Sequence, residues 1–330
     1  MNVVTDTGAK GDNPVILDLE DNRLLPPLYG EHDSNLARIE RYLGVRILNR
    51  GNRIVIEGPA ALAEQARGVL RDLYAQLECR GHIEPGDVDG ALRMSDAPLT
   101  KASNGAEQSN ISIPTRNRVI RPRSPMQATF IQALQRRELT FGIGPAGTGK
   151  TYLAVAMAVA KLLAGEVDRI ILSRPAVEAG ENLGFLPGDL KEKVDPYLRP
   201  LYDALYDMMP PEQVEKRLLS RQIEVAPLAY MRGRTLSHAF VILDEAQNTT
   251  AMQIKMFLTR LGERARMAVC GDPSQIDLPH ATRSGLAHAV HLLEPIEGID
   301  VIRFTEADIV RNPLVSKIVA AYDSDVDKTG

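Results

Sequence analysis

Eight consecutive residues, Gly144-Pro145-Ala146-Gly147-Thr148-Gly149-Lys150-Thr151, satisfy every fixed position of the phosphate-binding pattern G-x-x-x-x-G-K-[ST]. The chemistry requires this spacing. Glycines let the backbone curl until several N–H groups point at phosphate oxygens. A lysine in the place of Lys150 reaches the β- and γ-phosphates, and a hydroxyl in the place of Thr151 ligates Mg²⁺. A second group of residues complements the first. Phe240-Val241-Ile242-Leu243 leads straight into Asp244 and Glu245, so an apolar strand ends in two acids. In α/β sheets that end of a strand is where ligands bind. Asp244 is then the candidate to hold Mg²⁺ through water, and Glu245 the candidate to polarise an attacking water. A third segment, Gly271-Asp272-Pro273-Ser274-Gln275, also follows an apolar strand. Gln275 is placed there to sense a γ-phosphate or orient water, although Gly and Asp-Pro also suit an ordinary turn.

These residues need a scaffold, and the flanking pattern supplies one. Leu139 to Ile143 reads as a buried strand entering the glycine loop. Thr151 to Ala160 reads as a helix leaving it, its N-terminus placed to hold anionic charge. Further apolar, β-branched strands recur at 169–172, 223–225, 240–243, 267–270 and 299–302, and a helix over 127–137 precedes the first strand. Strands alternating with helices specify an α/β fold, a parallel sheet covered by helices on both faces.

The N-terminal part is built differently. Residues 1–13 read as a disordered tail. Residues 14–80 read as a small α+β domain. It comprises a strand over 14–19, a helix over 34–43, a hairpin of 45–48 and 53–57 turning at Arg50-Gly51-Asn52, and a long helix over 59–77. Residues 81–124 are rich in Gly, Pro, Ser, Asn and Asp and read as a linker with a short helix near Val88–Met94. The end of this linker gathers Arg116, Arg118, Arg121 and Arg123 without an acid, a strip suited to RNA phosphates or simply to solvation. The second domain then runs from 125 to 330.

Composition narrows the function classes. A net charge of −4 over 330 residues excludes a basic nucleic-acid coat, so any such contact must be local. No apolar run reaches the ~20 residues of a membrane span. Cys79 and Cys270 have no cysteine neighbours or metal-ligand spacing and read as reduced thiols of a cytoplasmic protein.

The segments GPAGTGKT, VILDEAQN and GDPSQID, in that order, resemble superfamily 1 helicase motifs I, II and III. SRPAVEAGENLGFLPGDLKEKVDPYLRPLYD, PLAYMRGRTL and FTEADIVRNPLV resemble the PhoH-like ATPases more closely, over about 125–325. The resemblance implies a P-loop NTPase core that binds ATP and Mg²⁺, and work on RNA with a ribonuclease or ribosome-maturation partner. One core lacks the second motor domain of helicases, which implies a homo-oligomer, such as a ring, completing the cleft. By the same resemblance Arg311 is the first candidate for an arginine finger, with Arg283, Arg174 and Arg234 behind it, and Gln127 is the candidate to read adenine. A surface ion pair for Arg311 and a solvated helix position for Gln127 stay open. The stretch from Leu28 to Ile47 resembles a KH module, whose GXXG loop would be Gly30-Glu31-His32-Asp33. The second glycine is absent and two acids are present, so assembly stands beside RNA gripping. A nucleotide-dependent assembly switch is the competing class. A metabolic kinase is weaker, because nothing resembles an acceptor pocket.

Overall fold

The computed structural model describes residues 14–96, 111–175, 190–279 and 282–310. The chain divides into two units, Met1–Ser109 and Asn110–Gly330.

In the first unit, β1 (Val15–Asp18), β2 (Arg46–Arg50) and β3 (Arg53–Glu57) form an antiparallel sheet in the order β1-β3-β2. Period-two alternation decides its faces: Ile54 and Ile56 are fully buried while Arg53 and Glu57 are exposed. Among the described residues the α-helices α1 (Leu25–Tyr29), α2 (Ser34–Leu43), α3 (Ala60–Arg80) and α4 (Pro85–Ser95) accompany the sheet. Leu36, Ile39 and Leu43 of α2 and Leu70, Leu73 and Leu77 of α3 recur at helical spacing and fill the core against the strands.

The helix α4 corrects the expected linker over 81–124. Val88 and Leu92 are fully buried in the same core, and a capping box between Glu84 and Asp87 starts the helix with Pro85 in its first turn. Linker-like composition misled because Gly86, Gly90 and the acids Glu84, Asp87 and Asp89 surround few large apolar residues, yet Val88 and Leu92 among these are fully buried. The far end of the same stretch belongs to the second unit. There β4 (Ile113–Pro114) pairs with β5 (Val119–Ile120), and Ile113 and Ile120 are buried against the larger sheet's helices.

That larger sheet has six parallel strands in the order β11-β6-β10-β9-β7-β8. They are β6 (Leu139–Ile143), β7 (Arg169–Arg174), β8 (Ile223–Pro227), β9 (Ala239–Leu243), β10 (Arg266–Gly271) and β11 (Ile299–Arg303). Every residue of β9 is buried, as a strand covered on both faces requires. One face packs on α5 (Pro125–Arg136), α6 (Lys150–Leu163), α7 (Leu190–Met208) and α8 (Pro211–Leu219). The other packs on α9 (Ala251–Leu258) and α10 (Leu286–Leu293). All strands run the same way, so β6, β7, β9 and β10 deliver their C-terminal ends to one edge. The glycine loop, Asp244 and Asp272 gather there.

Leu92→Ala tests whether α4 is part of the first unit's core. Truncating a fully buried leucine costs about 2–5 kcal/mol. Amide exchange across α2 and α3 of the full chain is expected to accelerate while α6 keeps its protection. Unchanged exchange in α2 and α3 would return α4 to the linker.

Candidate functional site

The glycine loop is shaped by close approach. Gly144 has φ +141, and a Cβ there would lie 2.4 Å from the Phe304 carbonyl oxygen, so no larger residue fits. Its N–H donates to Gly271 O at 3.1 Å, and Phe304 N–H donates to Ile143 O at 2.7 Å, which clasps the loop entrance between β10 and β11. Gly149, at φ +80, ends the loop and caps α6.

Lys150 is 8% exposed and its ammonium is held by loop oxygens: Gly144 O and Pro145 O at 2.7 Å each, and Thr148 Oγ1 at 3.2 Å. Burial pushes its pKa below the ordinary lysine value, while Cys270, Asp272, Asp244 and Glu245 act in the opposite sense. Thr151 Oγ1 donates to Asp244 Oδ1 at 2.5 Å, joining the loop to the end of β9. Asp244 is 6% exposed, and burial pushes its pKa up, with the Thr151 hydrogen bond restraining the shift. Glu245 follows in the left-handed region, at φ 51, a conformation that costs a non-glycine residue about 1–2 kcal/mol.

Arg174, at the end of β7, reaches both acids. It lies 3.0 Å from Glu245 Oε1 and 3.9 Å from Asp244 Oδ2, and donates to Tyr197 O at 3.1 Å. These groups line one cleft of about 560 Å³, a size that suits a nucleotide, with Gln275 on its rim and Tyr152 and Asp207 along its wall. Lys150, Arg174, the two strand-end acids and the free space together can hold a polyphosphate with a divalent cation. The oxygen donors of Thr151 and Asp244 suit a hard ion such as Mg²⁺. Among the described residues no cluster of three or more His, Cys, Asp or Glu forms a separate metal site.

The structure thus brings together Gly144 to Thr151, Asp244, Glu245 and Gln275. Gln127 departs from its expected part. It is buried, its Nε2 donates to Thr148 O at 2.9 Å and its Oε1 accepts from Arg123 N–H at 2.7 Å. Both ends of the amide are committed to backbone, so the side chain clamps the loop instead of facing a base. Arg234 is tied to Glu224 by contacts of 2.6 and 2.7 Å, and Arg283 is exposed. Arg311 lies outside the described residues, but Val310 N–H donates to Gly147 O at 2.9 Å.

The arginine strip is also not four free cations. Arg118 pairs with Asp207 at 2.6 Å, and Arg121 buries its Nε without a hydrogen-bond partner. Asp207, Gln247 and Asp272 were missed as site residues by sequence reasoning. Gln247 and Asp272 stand inside the segments VILDEAQN and GDPSQID with no role assigned to them, and Asp207 offered only a polar side chain beside apolar residues, which specifies no partner.

A family model described as PhoH-like protein matches residues 119–323. The PhoH-like protein of Bacillus subtilis (strain 168) is 49% identical over 296 residues, covering 90% of this chain and 93% of that protein. Protein PhoH of Escherichia coli (strain K12) is 46% identical over 202 residues, covering 61% of this chain and 57% of its own length. Among solved structures, the UvsW helicase from bacteriophage T4 covers 72% of this chain and 78% of that one at 12% identity, with a TM-score of 0.37, too slight a likeness to carry an argument.

Gln127→Leu separates a loop clamp from a base reader. Leaving the Thr148 carbonyl and the Arg123 N–H without this partner costs about 1–3 kcal/mol. ATP and GTP affinities, measured by titration calorimetry, are expected to fall together with their ratio unchanged. A changed ratio with full affinity for inorganic triphosphate would restore the base-reading role.

Proposed function

The chain belongs to the PhoH-like protein family, and from that premise and the cleft we propose that it binds ATP with Mg²⁺, hydrolyses it, and couples turnover to binding or remodelling RNA in the cytoplasm. The observation that carries the hydrolase reading is the 2.5 Å contact of Thr151 with Asp244, which unites the phosphate loop with the strand-end acids in one buried site.

In this reading the loop N–H groups and Lys150 hold the phosphates. Mg²⁺ held through Thr151 and Asp244 would neutralise charge on the β- and γ-phosphate oxygens. Glu245 accepts the proton of a water whose oxygen attacks the γ-phosphorus. The new P–O bond forms as the β–γ bridging P–O bond breaks, giving ADP and phosphate. Gln275 orients that water or senses the γ-phosphate.

Arg311 is the proposed finger. The bond from Val310 to the loop of the same chain favours an arginine serving its own site, against the expectation of a shared one. A homo-oligomer and a ribonuclease or ribosome-maturation partner belong to this proposal as family expectations.

RNA coupling rests on family resemblance and on a KH-like reading of the first unit, where Gly30–Asp33 links α1 to α2. Glu31 and Asp33 are exposed in that loop and repel phosphate, and Arg118 is already paired. Those two observations favour the second reading, a nucleotide-driven assembly switch.

Lys150→Ala is expected to abolish turnover. Glu245→Gln is expected to retain ATP binding while losing about 10²–10⁴-fold in rate. Total RNA is expected to stimulate wild-type ATPase activity. An unstimulated rate with no RNA binding at low salt would leave the switch reading, and a Glu245→Gln enzyme at wild-type rate would remove the base assignment.

A mixing experiment assigns the finger. Arg311→Ala subunits keep the phosphate loop, and Lys150→Ala subunits keep the arginine. Removal of a finger costs on the order of 10³–10⁵ in rate. If Arg311 serves its own chain, the mixed oligomers stay inactive. Recovered activity would mean that the site is shared.

A further inference from the structure

Gln247 is 1% exposed, two residues beyond Glu245, and both polar atoms of its side chain are in use. Its Nε2 donates to Glu245 Oε2 at 2.5 Å and to the Gln275 carbonyl at 3.0 Å, and its Oε1 accepts from Asp272 N–H at 2.9 Å. That is a full complement for the two N–H groups of a carboxamide and one lone pair of its oxygen. Asp272 carries the connection onward. Its Oδ2 accepts from Ala146 N–H at 2.9 Å, inside the glycine loop, and its Oδ1 accepts from Ser274 N–H at 3.0 Å and Ser274 Oγ at 2.6 Å. An unbroken set of hydrogen bonds therefore runs from the phosphate loop through the 272–275 turn and Gln247 to Glu245.

Space is reserved for this amide. A Cβ on Gly271 would stand 3.1 Å from Gln247 Oε1 and 2.5 Å from Leu286, so the glycine at the end of β10 leaves room for it. The other oxygen of Glu245 is held by Arg174 at 3.0 Å. The carboxylate is thus fixed by one neighbour on each oxygen.

We infer that Gln247 is the positioning residue of the hydrolytic site: its carboxamide aims the Glu245 carboxylate and locks it in register with the turn that presents Gln275. The inference rests on the reading of Glu245 as the group that activates water. Only glutamine meets the demand. Glutamate would keep the acceptor for Asp272 N–H, lose both donors and set a second negative charge against Glu245. Asparagine is one methylene short of three partners. Leucine would fill the volume and satisfy none of them.

The test uses the full-length chain with Gln247→Leu and the near-isosteric Gln247→Glu. Steady-state ATPase kinetics are run beside titration with a fluorescent ATP analogue, and single-turnover rates are taken for the slowest variants. Both variants are expected to lower kcat about 100-fold and keep nucleotide affinity within threefold. Adding Gln247→Leu to Glu245→Gln is expected to cause no further loss, because the amide acts only through the carboxylate. Wild-type kcat in both single variants overturns the inference. So does a loss that multiplies with that of Glu245→Gln, and so does a parallel fall in nucleotide affinity, which marks a merely structural amide. If Gln247→Leu fails to fold, Gln247→Glu decides alone by the same criteria. A Glu245→Gln enzyme at wild-type rate instead refutes the base reading itself, a result distinct from an inactive Glu245→Gln beside a fully active Gln247→Leu.

Discussion

Two opposite charges, Lys150 and Asp244, stand less than one-tenth exposed at the same edge of the sheet without bonding each other. Burying an ionised group is costly unless it is paired and hydrogen-bonded. Here the ammonium is held by loop carbonyls and the carboxylate by the Thr151 hydroxyl. Burial drives both groups toward neutrality, the lysine downward and the aspartate upward. Such a pair is most stable when an anion meets the lysine and a cation meets the aspartate. The arrangement therefore favours a metal-bound polyphosphate before any particular contact with it is considered.

Holding that arrangement open falls to the sheet. The strand carrying the loop, β6, and the strand carrying the acids, β9, are not neighbours, because β10 lies between them. The two strands are thus separated by about two strand spacings, roughly 9–10 Å. The gap is bridged from one side by α6, which starts at Lys150, and from β10 by Asp272. Full burial of Phe141, Ile242 and Val269 fixes the three strands so that their ends cannot drift. Arg174 enters from β7 on the far side of β9 and offsets the two acids that β9 delivers.

What the sequence revealed and what it concealed divide along physical lines. The strands of the large sheet were legible because apolar β-branched runs mark strands buried on both faces. The phosphate loop was legible because its glycines and lysine answer to one ligand at fixed spacing. Local pattern carries no information about which distant backbone a buried amide will meet, so Gln127 and Gln247 were opaque. Gln127 is committed to Thr148 and Gln247 to Asp272 and Gln275, contacts that exist only once separate elements have packed together. The helix near Val88–Met94 was legible, but its place in the first unit's core was not. The surrounding composition reads as linker, and Val88 and Leu92 are buried in that core all the same.

The polar partners that the sequence hid also bear on how the cleft meets its ligand. Ala146 has a single N–H proton, and Asp272 accepts it. Lys150 directs its ammonium at Gly144 O and Pro145 O, the loop's own carbonyls. A phosphate oxygen that accepts from Ala146 N–H displaces Asp272 as its acceptor, and one that draws on Lys150 competes with those carbonyls. Asp272 is joined through its own N–H to Gln247, and Gln247 to the carbonyl of Gln275 and the carboxylate of Glu245. Hydrogen-bonded groups in a low-dielectric interior polarise one another, so a change at one member is felt along the set. Filling the loop with phosphate is therefore not a local event. The first hydrogen bond exchanged there belongs to a network that ends on Glu245 and Gln275.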